Sequence, residues 1–273
     1  MKTETVWIDC ADVRLYAEIL VPNRFPAPGL LICHGMNAQG FHLLRIYSQL
    51  ARVACREGFA AMVLDFRGVG KSTGKFDYGF GEQRDVTCAL DYLASRPEVN
   101  AEQLFLVGHS LGGAVSLYAL EGEKRVKGLV LWSVPKNHDY NVKKFMSRAK
   151  GRFGLQLFWL LSRVDRLVNV SRLFRLEVYG IKLRLKDVRG KLMKLDECGA
   201  ISKLENLAVL IVNGEADDIV GPDEAQEVYN AANEPKTLLV MKGANHVFSG
   251  KTHELVQKTV EWLKKAERTT SGQ

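Results

Sequence analysis

One short run in this chain has the residue types of an activated nucleophile: Gly108-His109-Ser110-Leu111-Gly112-Gly113. A serine hydroxyl is a weak nucleophile until a neighbouring base takes its proton. The spacing G-x-S-x-G is weak evidence by itself, but its surroundings strengthen it. The apolar run Leu104-Phe105-Leu106-Val107 leads in, and an amphipathic helical pattern from Leu111 to Leu120 leads out. This is the signature of a strained strand-to-helix elbow that lifts a serine above a sheet. Gly108, Gly112 and Gly113 supply the small residues that let strand and helix approach. The plain alternative is an ordinary turn with Ser110 as a helix N-cap.

A base must accompany the serine, and histidine is the usual one because its pKa lies near working pH. Of the chain's histidines, His246 lies in Gly243-Ala244-Asn245-His246-Val247-Phe248, just after the last predicted strand. Loops at the carboxyl ends of strands are where open α/β sheets place their sites. His109 adjoins Ser110 and is expected to point elsewhere. His42, His138 and His253 fall on predicted helices or in a basic segment, and read as solvated or structural. The base in turn needs an orienting carboxylate. Gly214-Glu215-Ala216-Asp217-Asp218-Ile219-Val220 follows another predicted strand, and either aspartate could serve.

The elements that would position these groups alternate. An antiparallel, half-buried strand is read at Val13–Val21 from its alternating pattern. Buried strands follow at Leu30–Cys33, Ala60–Leu64, Leu104–Val107 and Val126–Trp132, with helices at His42–Glu57, Glu82–Ser95 and Leu111–Leu120. The rhythm resumes with strands at Leu207–Val212 and Thr237–Met241 and helices at Asp223–Ala232 and Lys251–Lys265. Such alternation predicts an α/β fold, a mostly parallel sheet flanked by helices. Residues 136–203 break the rhythm and read as an inserted cap or lid, leaving 1–135 and 204–268 as the core and 269–273 as a disordered tail.

Composition bounds the rest. The chain has 273 residues, 47% apolar and 25% charged, as expected of a soluble globular protein. Its net charge of +7 is uneven, with 16 Lys and Arg against 6 Asp and Glu between Lys136 and Ala200, and 22 against 25 elsewhere. Basicity confined to one segment argues against nucleic-acid binding by the whole protein. Cys10, Cys33, Cys55, Cys88 and Cys198 show no C-x-x-C spacing, so buried free thiols are expected rather than a disulfide framework or a zinc site. There is no apolar signal-peptide core near Met1 and no run near the ~18 apolar residues of a membrane span, so a cytoplasmic location is expected. Gly68-Val69-Gly70-Lys71-Ser72-Thr73 ends like a phosphate-binding loop, but Asp65 replaces the first glycine and would repel phosphate.

Taken together, four blocks resemble the α/β-hydrolase superfamily across nearly the whole chain: His34-Gly35 after a strand, Asp65-x-Arg67-Gly68-x-Gly70-x-Ser72, the serine elbow, and the aspartate and histidine loops. The serine acyl-hydrolase branch that includes cinnamoyl esterases and monoacylglycerol lipases is the most similar in these motifs. The resemblance implies Ser110 as nucleophile and His246 as base. It implies Asp217 as the acid, matching G-x-x-D-x-x-V from Gly214 to Val220, and leaves Asp218 as a turn residue. It implies an oxyanion hole from the backbone N–H groups of Met36 and Leu111, and no metal or organic cofactor. The H-G-G-G form of many lipases is absent. The expected activity is cleavage of a small-molecule carboxylic ester through an acyl-enzyme. The alternatives are a thioesterase or peptidase with the same triad, or a non-catalytic binding protein on the same fold. In the cap, Phe153, Leu157, Phe158, Leu160, Leu161 and Val164 are expected to line an acyl or aryl pocket or else to pack the cap onto the body. Its basic residues are expected to attract an anionic substrate or an anionic membrane surface.

Overall fold

A computed structural model describes residues 1–144, 176–178 and 180–271. In chain order the strands are β1 (Lys2–Cys10), β2 (Val13–Val21), β3 (Ala27–Cys33), β4 (Ala60–Leu64), β5 (Val99–His109), β6 (Val126–Trp132), β7 (Leu176–Val178), β8 (Ile181–Leu183), β9 (Ala208–Gly214) and β10 (Lys236–Met241). The helices are α1 (Arg45–Arg56), α2 (Gly81–Ala94), α3 (Leu111–Ala119), α4 (residues 138–144 as described), α5 (Leu185–Gly190), α6 (Glu197–Ile201), α7 (Pro222–Ala231) and α8 (Thr252–Ser271).

Eight strands make one sheet in the order β1-β2-β4-β3-β5-β6-β9-β10. Of these, β2 runs antiparallel to both its neighbours, and the pairings from β4 to β10 are parallel. Successive side chains on a strand point to opposite faces, so each central strand feeds two cores. Ala60, Met62 and Leu64 of β4 join one apolar cluster with residues of α2, α3 and α7. Ala61 and Val63 join the other with residues of α1 and α8. Leu104, Phe105, Leu106 and Val107 of β5 are essentially fully buried this way. Burying side chains of this size stabilises by roughly 1.5–3 kcal/mol each, which makes the strand before Ser110 a rigid mount.

The sequence reading differs from the fold in several places. The strand β1 was not anticipated, although Val6, Ile8 and Cys10 alternate as buried residues with exposed Thr5, Trp7 and Asp9. Helix α1 starts at Arg45 rather than His42, because Gly40–His42 form a 3-10 turn and Leu44 is extended (φ −114°, ψ 117°). Helix α8 continues past Lys265 to Ser271, into the stretch expected to be disordered. Ala266 extends the buried face of Val256, Val260 and Leu263, so the helix still has core to pack against at that point. The apolar stretch Phe153 to Val168 lies outside the described residues.

The expectation of free thiols fails for two cysteines. Cys10 and Cys88 form a disulfide, 78 residues apart in sequence. Cys10 ends β1 and Cys88 lies on α2, which packs across that strand. No local spacing could have announced the pair, and the cytoplasmic expectation loses part of its support, since disulfides are rare in reducing compartments. Cys33, Cys55 and Cys198 are free. No helix among the described residues is long and apolar enough to cross a membrane.

The phosphate-loop lookalike resolves into a self-contained turn. The Asp65 carboxylate accepts N–H groups from Phe41 and Lys71, each at 2.9 Å. The amides of Gly68, Val69, Gly70, Ser72 and Thr73 all donate to backbone carbonyls. A Cβ on Gly40 or Gly70 would collide with the Asp65 carboxylate. The turn is wrapped around the protein's own anion and has no amides left for a phosphate.

Candidate active site

Ser110 stands between β5 and α3 with φ 52° and ψ −120°. A non-glycine residue in this region is strained by about 1–3 kcal/mol and persists only where its surroundings fix it. The flanking glycines allow the crossing. A Cβ on Gly108 would strike the Gly113 backbone, and one on Gly112 would strike the carbonyls of Cys33 and His34. The strained elbow is therefore clamped against the end of β3 by close backbone contact.

The other two groups arrive on neighbouring loops at the same sheet end. Asp217 follows β9 and His246 follows β10, and these strands pair in parallel. The loops are zipped together by Glu215 N–H to Met241 O and Ala216 N–H to Ala244 O, both 2.9 Å. His246 Nε2 lies 3.2 Å from Ser110 Oγ. Its Nδ1 lies 2.9 Å from Asp217 Oδ2 and 3.2 Å from Oδ1. The structure thus brings together Ser110, His246 and Asp217, three residues singled out from sequence, while Asp218 is exposed.

Asp217 is held from several sides. Its Oδ1 accepts the N–H groups of Ile219 (3.0 Å) and Val220 (2.9 Å). Burial by itself raises its pKa, but the bond to His246, that group's charge and the Val220 amide outweigh it, and the net shift is downward. Ser133, at φ 48° after β6, is buried beside this carboxylate and also lowers its pKa, although the hydroxyl makes no well-formed hydrogen bond. An ionised Asp217 is what an Nδ1–H donor on His246 requires, leaving Nε2 free to accept from Ser110.

The two expected oxyanion donors flank the serine. Leu111 is the first residue of α3, so its N–H is one that the helix cannot satisfy internally. On the other side, a Cβ at Gly35 would lie 3.3 Å from His109 Nδ1 and 3.4 Å from Ser110 Cβ, which places the Gly35–Met36 loop directly against the elbow. The Gly35 carbonyl is fixed by His34 Nδ1 at 2.6 Å and Asn37 Nδ2 at 3.0 Å. Since Phe66 N–H donates to His34 Nε2 (3.3 Å), the His34 proton sits on Nδ1. Burial lowers the His34 pKa to about 4, so the ring is neutral. In a trans peptide the C=O and the following N–H point opposite ways, so pinning the Gly35 carbonyl also sets the direction of the Met36 N–H.

The remaining histidines have other places. His42 and His253 are exposed. His138 is buried and meets Glu197 at 2.5 Å. His109 is buried behind the elbow and pairs with Tyr47 and with the His246 backbone. Sequence reasoning missed Tyr47 and Ser133, neither of which lies in a recognisable motif.

Several known proteins resemble this chain. The model of a family described as "Serine aminopeptidase, S33" matches residues 26–251. A polyketide transferase of Stachybotrys chlorohalonatus, ATR5, is 23% identical, covering 90% of this chain and 91% of that protein. The structure of DcsB in complex with a substrate analogue superposes with a TM-score of 0.79 at 19% identity, covering 98% of this chain and all of that one (100%). Est1E from Butyrivibrio proteoclasticus with bound ferulic acid gives 0.69 at 20% identity, covering 96% and 98%. These structural likenesses establish the fold, and the family match over most of the chain establishes descent. The chain therefore belongs to the serine aminopeptidase family of hydrolases, on the α/β-hydrolase fold.

Proposed function

We propose that the protein is a serine acyl hydrolase that cleaves a carboxylic ester through an acyl-enzyme. The observation that carries this reading is the continuous line Asp217–His246–Ser110, with contacts of 2.9 Å and 3.2 Å. In the proposed cycle His246 Nε2 takes the Ser110 proton as Oγ bonds to the ester carbonyl carbon. The Met36 and Leu111 N–H groups receive the oxyanion, each contributing about 3–4 kcal/mol to the transition state. As the carbonyl re-forms, the alcohol departs with the proton from His246, leaving Ser110 acylated. Water, deprotonated by His246, repeats the attack and frees the acid.

A second reading follows from the 90% coverage by a polyketide transferase. The same acyl-enzyme can form from a thioester, or pass its acyl group to an acceptor other than water. One experiment addresses both. A fluorophosphonate probe is expected to label Ser110 in the wild type and nothing in Ser110→Ala, read by mass spectrometry of the labelled peptide. A panel of p-nitrophenyl esters and matched thioesters then ranks the acyl donors. Absence of label from freshly folded wild type, or labelling that survives Ser110→Ala, removes the serine-hydrolase reading.

A further inference from the structure

We propose that Tyr47 and His109 form a buried positioning relay, holding the oxyanion loop, the elbow and the base loop in register. The proposal rests on the acyl-hydrolase reading and deepens it. The hydrogen-bond inventory of the relay permits a single proton arrangement. The Gly35 amide can only donate, and it meets Tyr47 Oη at 3.1 Å. Tyr47 must then direct its one proton elsewhere, and His109 Nδ1 lies 2.6 Å away. That ring nitrogen is thereby an acceptor, so a neutral His109 carries its proton on Nε2. Nε2 is 3.0 Å from the backbone carbonyl of His246, which can only accept. The chain of donors runs from the Gly35 N–H through Tyr47 and His109 to His246 without a conflict.

Each end of this chain abuts a reacting group. Gly35 precedes Met36, the oxyanion donor, and His109 precedes Ser110. The far end grips the backbone of the base itself. Tyr47 lies on α1, fully buried, and His109 is 4% exposed. Burial and the neighbouring His246 push the His109 pKa down to about 3, so the ring keeps the neutral form that the relay needs throughout the working range. Its centroid lies 5.3 Å from that of His246, too close for a second imidazolium without repulsion. Neither residue touches the reacting atoms; both act through the groups that they hold.

The test has two independent parts, run on wild-type enzyme already shown to take the fluorophosphonate label at Ser110, so a failed function assignment is seen first. Nitrogen NMR of the histidine-labelled native protein should find a neutral His109 with a proton on Nε2 and none on Nδ1, and His34 with the opposite tautomer. A proton on His109 Nδ1 overturns the relay. In kinetics, Tyr47→Phe is expected to lower kcat by roughly 10- to 100-fold with KM changed by less than about twofold, as for loss of stabilisation felt in the transition state. It should weaken a trifluoromethyl ketone, which forms an oxyanion, by a similar factor, and the product acid hardly at all. His109→Leu should cost about as much. His109→Gln should recover most of that loss, because its amide can accept from Tyr47 and donate to His246. The double variant Tyr47→Phe/His109→Leu should be no worse than either single, since both break one chain. Additive losses, or a Tyr47→Phe variant whose kcat stays within about twofold of wild type, overturn the proposal.

Discussion

At the scale of single residues, the informative contrast is between two adjacent aspartates. Asp217 accepts from His246 and from the amides of Ile219 and Val220, whereas Asp218 is exposed. On the proposed mechanism Asp217→Asn replaces an acceptor by a group that presents a donor to Nδ1–H and favours the wrong imidazole tautomer. The expected loss is about 10⁴ in kcat, the size measured for the equivalent change in a serine protease. Asp218→Asn should remain within a few-fold of wild type, and steady-state kinetics of the two purified variants settles the order. Ser110 and His246 were legible because each sits in a local motif at a strand end. The choice of Asp217 was not legible from residue type, since both aspartates suit a turn; the spacing from Gly214 to Val220 and the family resemblance made it. The partnership of Tyr47 with His109 spans 62 residues, and no pattern along the chain encodes it.

At the scale of elements, the alternating strands and helices were readable because burial on both faces makes β4 and β6 near-continuous apolar runs and imposes a helical stripe on α2 and α8. The elements that escaped notice were short or peripheral. Among the described residues strand β1 pairs with β2 alone, and the hairpin β7–β8 has three residues a side. Such elements depend on tertiary neighbours more than on their own pattern. The start of α2 holds a buried carboxyl. Glu82, in its first turn and fully buried, accepts the amides of Asp77 (2.7 Å) and Gly79 (2.8 Å). Burial raises its pKa from 4.5 to about 7, against the pull of those amides and with help from the charge of Asp85. A carboxyl with a raised folded pKa binds more protons folded than unfolded between those two values, so its contribution to stability is greatest at low pH and falls as pH rises through about 7. The whole effect is on the order of 3 kcal/mol at most. Urea unfolding of wild type and Glu82→Gln from pH 5 to 8 isolates it, because buried neutral His34 and His109 act alike in both proteins. The stability difference should favour wild type most at pH 5 and shrink or reverse by pH 8. A difference that is constant with pH means that Glu82 does not titrate in this window.

At the scale of the whole molecule, the question is what the segment between β6 and β9 contributes. Its described residues are tied to the body. Asn141 and Lys144 donate to the Ile219 carbonyl in the acid loop, at 2.9 Å and 3.2 Å. Lys144 pairs with the buried Glu224, Lys136 with Glu227 and Lys191 with Asp77. Ile181, Leu183, Leu185, Leu192 and Leu195 join the same apolar cluster as α2 and α3. For this part, packing onto the core accounts for the apolar residues, and several cations are matched by body carboxylates. Most of the excess positive charge falls instead on residues 145–175, which hold seven Lys and Arg against one Asp. If that charge draws an anionic substrate or a membrane headgroup toward Ser110, the attraction must respond to screening. Between about 20 and 300 mM salt the Debye length shortens from about 20 Å to about 6 Å. For an anionic ester, kcat/KM should then fall several-fold, chiefly through slower capture. A neutral ester of the same acyl chain should barely change, which removes general effects of salt on the fold or on the chemical step. Initial rates of the two esters across this range decide the matter. Parallel responses would eliminate electrostatic selection by this charge.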